Sequence, residues 1–245
     1  MTTQSLSQFN NVAIFGSHGA IGNAFVEHFL TLPIQSLYTF SRHPCSILDP
    51  RLNHFILDIT DEGSIHSLAT SFDSALKFDL ILITTGLLHN SAISPEKTIR
   101  SLSQNTLRTY FDVNTIAPML IAKSFIPFLS QSTPSIMAML SARVGSITDN
   151  SLGGWYGYRA SKAALNMMIK TVSIELRYTN KQAIVVGLHP GTVASNLSEP
   201  FTKNYSKNPI FTPNESVSHL TKVLSELSVD SSGNCFAWDG SQIDA

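Results

Sequence analysis

The chain has 245 residues, 43% of them hydrophobic and 13% charged, with 16 Lys+Arg against 17 Asp+Glu and a formal net charge of −1. So few charges exclude a long disordered region, and no run of basic residues offers a surface for nucleic acid or anionic membrane. Cys45 and Cys235, the only cysteines, cannot build a disulfide framework and lack zinc-ligand spacing, so no metal site and a reducing, cytoplasmic setting are expected. Met1 to Asn10 is polar, without the basic-then-apolar layout of a signal peptide. No apolar stretch approaches the ~20 residues a membrane helix requires.

Short apolar runs alternate with amphipathic stretches along the chain. Strands are predicted over Asn11–Phe15, Ser36–Phe40, His54–Leu57, Leu80–Ile83, Ser135–Leu140, Ile184–Leu188 and Cys235–Trp238. Their nearly continuous apolar content suits strands covered on both faces. Helical patterns lie between them over Ile21–Leu30, Glu62–Phe72, Leu107–Phe128, Tyr158–Tyr178 and Asn214–Leu227. This alternation predicts an α/β Rossmann fold: one domain over residues 1–245, with a doubly wound parallel sheet of seven strands and helices on both faces. The irregular stretch Ser195–Pro213 reads either as a lid or binding loop or as a solvent-exposed insertion without a role.

After the first strand comes Gly16-Ser17-His18-Gly19-Ala20-Ile21-Gly22, running directly into a helix. Glycines there let backbone N–H groups approach a pyrophosphate at the positive end of the helix dipole, although a tight turn alone would also use them. The second strand leads into Ser41-Arg42. An acidic residue at Ser41 would accept bonds from ribose hydroxyls and repel a 2′-phosphate, whereas Arg42 can pair with that phosphate or be an ordinary surface arginine. Gly86, in Thr84-Thr85-Gly86 after the fourth strand, lets backbone lie close to a ligand or simply makes a turn.

Tyr158 and Lys162 stand four residues apart at the head of a helical segment and so share one face. A phenol can give or take a proton, and a nearby ammonium is expected to lower its pKa from about 10 towards the working range. His189-Pro190-Gly191 follows the sixth strand; the proline and glycine suit a rigid turn, and His189 reads as a packed strand-end histidine.

From Asn11 to Ile243 these segments resemble the short-chain dehydrogenase/reductase family. Gly16 and Gly22 match the first and last glycines of its T-G-x-x-x-G-x-G turn, with Phe15 in place of threonine and Ala20 in place of the middle glycine. The N-N-A-G segment of the family retains only its glycine here, as Gly86. Tyr158-x-x-x-Lys162 matches its catalytic pair and Asn114 its asparagine, which bends a helix and links the lysine to a water chain. The family serine that holds the substrate carbonyl falls on Ala142; Ser141 is taken as its replacement, with Ser146 or no hydroxyl as alternatives. The resemblance also implies nicotinamide contacts from Pro190, Gly191 and Val193, and an adenine contact from Asp58, which could equally cap the following turn.

Ser141-Ala142-Arg143-Val144-Gly145-Ser146-Ile147, Gly153-Gly154-Trp155-Tyr156-Gly157-Tyr158 and Phe236-Ala237-Trp238-Asp239-Gly240 are similar to the subgroup of bacterial C-factor proteins and sniffer-type carbonyl reductases. The resemblance implies transfer of hydride between NADP(H), preferred over NAD(H), and a small carbonyl or alcohol. The expected catalytic set is Tyr158, Lys162, Asn114 and Ser141. Cofactor contacts are expected from Gly16, Ser17, His18, Ala20, Ile21, Arg42, Asp58, Ile59, Thr85, Gly86, Tyr158, Lys162, Pro190, Gly191 and Val193. Trp155, Tyr156 and the Ser195–Pro213 stretch are expected to wall an apolar pocket, or else the aromatics are core. The long helices Leu107–Phe128 and Tyr158–Tyr178 imply pairing into a homodimer or homotetramer. A dinucleotide-binding sensor or C-factor-like signalling protein with little chemistry is the alternative that Ala142 sustains.

Overall fold

A computed structural model of the chain describes residues 9–202 and 209–244. Of the expectations above, Met1–Asn10 as far as residue 8, and residues 203–208 of the Ser195–Pro213 stretch, lie outside them.

Seven parallel strands form the sheet: β1 (Asn11–Phe15), β2 (Ser36–Ser41), β3 (Leu52–Ile56), β4 (Leu80–Ile83), β5 (Ser135–Leu140), β6 (Ala183–His189) and β9 (Cys235–Ala237). The sheet nevertheless has eight strands rather than the expected seven, in the order β10-β9-β6-β5-β4-β1-β2-β3. The eighth, β10 (Gln242–Ile243), is antiparallel to β9 and too short to leave a periodic signal in the sequence. A separate two-residue ladder joins β7 (Thr192–Val193) to β8 (Ile210–Phe211). One expectation needs correcting. The third strand is not covered on both faces: it is the sheet edge, and Ile56 is 61% exposed there.

Consecutive strand residues bury into opposite layers, as a sheet with helices on both faces requires. Val12 and Ile14 of β1 pack with α1 (Ala20–Leu30) and α7 (Pro213–Glu226) through Phe25, Phe29, Leu220 and Leu224. Ala13 and Phe15 face the other way, towards α2 (Glu62–Ser71), α4 (Ala117–Phe125) and α5 (Tyr156–Thr179). Phenylalanines dominate this second layer. Phe15 stacks on Phe40 at 4.2 Å between ring centroids, and Phe125 meets Phe15 edge-on at 4.8 Å.

The expected helix over Leu107–Phe128 is broken into four pieces, the last a 3-10 turn over Ile126–Phe128. It starts earlier, as α3 (Gln104–Phe111), because the Ser103 hydroxyl accepts the Thr106 N–H and caps it. A π turn over Asp112–Ile116 then separates α3 from α4. α5 likewise begins two residues before the expected start, so Tyr158 lies in its first turn. A short helix, α6 (Glu199–Thr202), follows β7.

β1 pairs with β2 on one side and β4 on the other, so the winding reverses at β1. A crevice opens at such a reversal beyond the carboxyl ends of the strands. The turns after β1, β2, β4, β5 and β6 all converge on that edge.

Deleting the Phe40 ring removes the centre of the aromatic layer. Phe40→Ala should lower stability by about 3–5 kcal/mol in a urea unfolding curve, with an unchanged slope; a shift below 1 kcal/mol would show that the layer yields more easily than its packing implies.

Candidate active site

The turn after β1 is held by close approach. Gly16 has φ +86°, and its N–H donates to the Phe40 carbonyl at 2.8 Å. A Cβ on Gly22 would sit 2.2 Å from the Gly16 carbonyl oxygen, so the first turn of α1 lies against the loop as only glycine permits. No side chain caps α1 at Gly19, and its first turn carries no acidic residue, which leaves its N–H end suited to an anion. Ser17 is buried, and its hydroxyl lies 3.4 Å from the Phe40 carbonyl; His18 and Ala20 are exposed, and Ile21 is half-buried.

Thr84, to which the sequence alone gives no role, ties this turn to β4. Its hydroxyl donates to the carbonyls of Phe15 at 2.8 Å and Gly16 at 3.2 Å. Beside it the Thr85 hydroxyl is buried without a partner. A buried hydroxyl of this kind normally has one, and its place next to the glycine turn fits a bound group.

Arg42 is exposed just beyond β2. The Ser41 hydroxyl donates to the His43 carbonyl at 2.6 Å, so it is engaged in its own turn. His18 and His43 rings meet at 5.0 Å. Asp58 caps the following turn, accepting from the Thr60 N–H at 2.9 Å and the Thr60 hydroxyl at 2.7 Å. Those bonds hold its carboxyl below the usual range, with a smaller contribution from the Arg42 charge. Ile59 beside it is half-buried.

Asn114 sits in the π turn, completely buried. Its Oδ1 accepts the Leu87 N–H at 2.7 Å, and its Nδ2 donates to the Leu87 carbonyl at 2.9 Å and to Ser161 Oγ at 3.1 Å. Ser161 Oγ in turn donates to the Tyr158 carbonyl at 2.8 Å. The loop after β4, the π turn and the start of α5 are thereby locked together. Gly86 lies between: a Cβ there would be 3.7 Å from both Asn114 Oδ1 and Lys162 Nζ.

Lys162 is 2% exposed, and its Nζ donates to the Leu140 carbonyl at the end of β5, at 2.8 Å. Burial pushes its pKa down to about 8. Tyr158 is also buried, among Leu88, Ile93, Tyr110, Ala142, Trp155 and Phe201, and burial pushes its phenol up to about 12. The expected acidification of the phenol by the lysine is not seen in the protein alone, where burial sets the direction.

Ser141 and Ala142 diverge. Ser141 Oγ donates to Asn166 Oδ1 at 2.6 Å, and Asn166 also accepts from the Cys235 thiol at 3.2 Å. Ala142 is the one that packs with Tyr158. Successive residues of an extended chain face opposite ways, so the Ser141 hydroxyl turns away from the Tyr158 cluster. Ser146 is engaged too, accepting the Asp149 N–H at 3.0 Å. Of the expected pocket walls, Trp155 and Phe201 pack with the Tyr158 cluster and meet at 5.2 Å, but Tyr156 is 37% exposed and stands outside it.

After β6, Gly191 has φ +77° and lies under Phe211 and Trp238, while the Pro190 carbonyl accepts from Ser216 Oγ at 2.9 Å. Val193 is buried in β7. Among the described residues no group of three or more His, Cys, Asp and Glu could hold a metal, and no helix is long and apolar enough to cross a membrane.

These turns match a known pattern over most of the chain: the family model for short chain dehydrogenases covers residues 10–206. The chain belongs to that family. It is 31% identical to C-signal of Myxococcus xanthus over 54% of this chain and 75% of that protein. NADPH-bound carbonyl reductase from chicken fatty liver shares 26% identity at a TM-score of 0.85, over 99% of this chain and 96% of the reductase. Carbonyl reductase Sniffer of D. melanogaster shares the fold, with a TM-score of 0.82, 22% identity, and 97% and 100% coverage. The expected resemblance is met by the similarity to C-signal and by the fold shared with Sniffer, and this member is an oxidoreductase by family.

His189, at the end of β6, has a pKa pushed down to about 4 by burial, with help from Arg143 and opposition from Asp239; its Nδ1 is buried without a partner. The unfolded chain takes up that proton near pH 6.5 and the native state only near pH 4, so stability is complete above 6.5 and declines down to 4. Unfolding measured by urea across this window should steepen with acid in the wild type and flatten by up to one proton in His189→Gln; identical slopes would contradict a buried neutral imidazole.

Proposed function

We propose that this short-chain dehydrogenase is an NADP(H)-dependent carbonyl reductase acting on small ketones or aldehydes, or on the corresponding alcohols. The observation that carries the reading is that Lys162 and Asn114 meet at Gly86, while Ser161 ties Asn114 to the backbone of Tyr158, whose ring sits in an apolar cluster. When bound, the reduced dinucleotide supplies hydride to the carbonyl carbon. The Gly16–Gly22 turn, the uncapped start of α1 and the unpartnered Thr85 hydroxyl fit such a group. We assign its contacts to Gly16, Ser17, His18, Ala20, Ile21, Arg42, Asp58, Ile59, Thr85, Gly86, Pro190, Gly191 and Val193, together with Tyr158 and Lys162.

Tyr158 is the proton donor. A phenol held near 12 retains its proton at neutral pH, the state that an acid poised beneath a developing alkoxide needs. Lys162, fixed on the Leu140 carbonyl, sets the charge beside it, and Asn114 aligns both through Ser161 and Leu87. Ser141 is left out of the reacting group because its hydroxyl is committed to Asn166; Tyr158 alone polarises the carbonyl, and Ser141 anchors α5. Losing one such donor slows a reaction by about 10²–10³ without abolishing it.

One domain of this kind, with its two cysteines free, suits the cytoplasm. Large apolar side chains exposed along α5, namely Met167, Met168, Ile174 and Tyr178, support pairing into a homodimer or homotetramer. A second reading, a dinucleotide-binding sensor, is favoured by one observation: the position that packs with Tyr158 is Ala142, which has no hydroxyl.

Two experiments test these assignments. Tyr158→Phe should abolish NADPH oxidation across a panel of ketones and aldehydes while the Kd for NADPH, read by fluorescence, changes less than about threefold; retained turnover would sink the role of Tyr158. Wild-type protein that binds NADPH tightly but turns over nothing would favour the sensor. Arg42→Ala should weaken NADPH binding about ten- to a hundredfold, the value of a charge-assisted bond, and leave NADH unaffected. Equal losses for both cofactors would remove the 2′-phosphate assignment.

A further inference from the structure

Glu96 lies in the loop between β4 and α3, a place where carboxylates ordinarily face water, yet it is 3% exposed. Burying a carboxylate is costly unless its bonds are made. One oxygen accepts the Gly157 N–H at 3.1 Å, and the backbone carbonyl of Glu96 accepts the Trp155 N–H. Both donors belong to the start of α5, where N–H groups have no partner within the helix. The other carboxylate oxygen is buried without a hydrogen bond, 3.0 Å from where a Cβ on Gly157 would lie. The same Cβ would meet the Tyr110 ring at 2.5 Å.

The segment it grips is strained. Trp155 has φ 52° and ψ 42°, the one non-glycine with positive φ among the described residues, and it directly precedes α5. A left-handed tryptophan persists only where its surroundings impose it, at a cost of about 1–3 kcal/mol. Tyr158 follows three residues later and packs with the Trp155 ring at 6.2 Å. The loop after β4 thus holds α5 at two levels: Leu87 through Asn114 and Ser161, and Glu96 at the very tip of the helix.

We propose that Glu96 is a positioning residue for Tyr158: its carboxylate and carbonyl fix the left-handed entry to α5 and so place the phenol over the reacting carbonyl. This inference rests on Tyr158 as proton donor. Reach, not charge, does the work. Glu96→Gln keeps an acceptor at the same distance and should retain kcat within about threefold. Glu96→Asp keeps the charge but falls one methylene short of Gly157, and should lower kcat by about ten- to a hundredfold, the penalty of a misplacement near 1 Å. NADPH affinity should stay within about twofold for both. Amide hydrogen exchange at Trp155 and Gly157, read without substrate, should accelerate in Glu96→Asp and not in Glu96→Gln.

Wild-type kcat and exchange in Glu96→Asp would overturn the proposal, as would equal losses in the two variants. If Glu96→Asp does not fold, Gly157→Ala decides: its methyl displaces the carboxylate and the Tyr110 ring, and should reproduce the loss in kcat with NADPH affinity unchanged, whereas wild-type kcat would overturn the clamp. Failure of the reductase reading is distinguishable, since it removes turnover from the wild type while the exchange pattern still reports on Glu96.

Discussion

Asn114 has no exposed surface, and its amide is shared between a loop, a turn and a helix. Two of its bonds go to the backbone of Leu87, in the manner of a neighbouring strand, and a third goes to Ser161 on α5. A regular α-helix would not bring that side chain to both partners. The π turn over Asp112–Ile116 carries one wide loop of backbone at this point, and such turns often mark functional positions. Thr115 adds a bond from its hydroxyl to the Ser161 carbonyl at 2.7 Å. Everything proposed for Tyr158 and Lys162 depends on this junction, because it sets the distance from α5 to the strand ends where a dinucleotide would lie.

The two ionisable groups are shifted in opposite senses by one cause. Burial disfavours charge, so the lysine falls to about 8 and the phenol rises to about 12. At neutral pH the phenol holds its proton, and the lysine remains mostly charged with its Nζ on the Leu140 carbonyl. The neighbouring Tyr110 is shifted in the same sense as Tyr158: burial, the Glu96 charge and Tyr158 all raise its pKa, and its hydroxyl donates to the Leu88 carbonyl.

Much of this was legible in the sequence because the parallel sheet writes itself plainly. Leu80–Ile83 is apolar throughout and Ser135–Leu140 is apolar after its first residue, and the turns that follow them carry the chemistry. The pair Tyr158 and Lys162 is readable from a spacing of four. What escaped was everything set by tertiary approach. The Thr84 hydroxyl looks like any strand-end threonine until it is seen holding the glycine turn. In the sequence Glu96 stands in Ser94-Pro95-Glu96-Lys97, which reads as a solvated loop, and no periodicity announces that the loop folds back over α5. Ser141 and Ala142 are neighbours that an extended backbone turns opposite ways, so a register of one residue puts the hydroxyl on Asn166 and leaves a methyl facing the candidate site. The break in the long helix is foreseen through the resemblance; the poor helix formers Asp112-Val113-Asn114-Thr115 mark the same place but do not by themselves specify a π turn.

The account stands or falls on chemistry passing through the site that Asn114 assembles. The most direct measurement is a reaction with NADPH deuterated at the transferable position, in the presence of a panel of ketones and aldehydes, with the alcohols analysed by mass spectrometry. The account predicts one deuterium at the carbinol carbon for at least one member of the panel, and none with Tyr158→Phe. Tight binding of NADPH with no deuterium in any product would contradict it and leave a protein that holds the dinucleotide without using it.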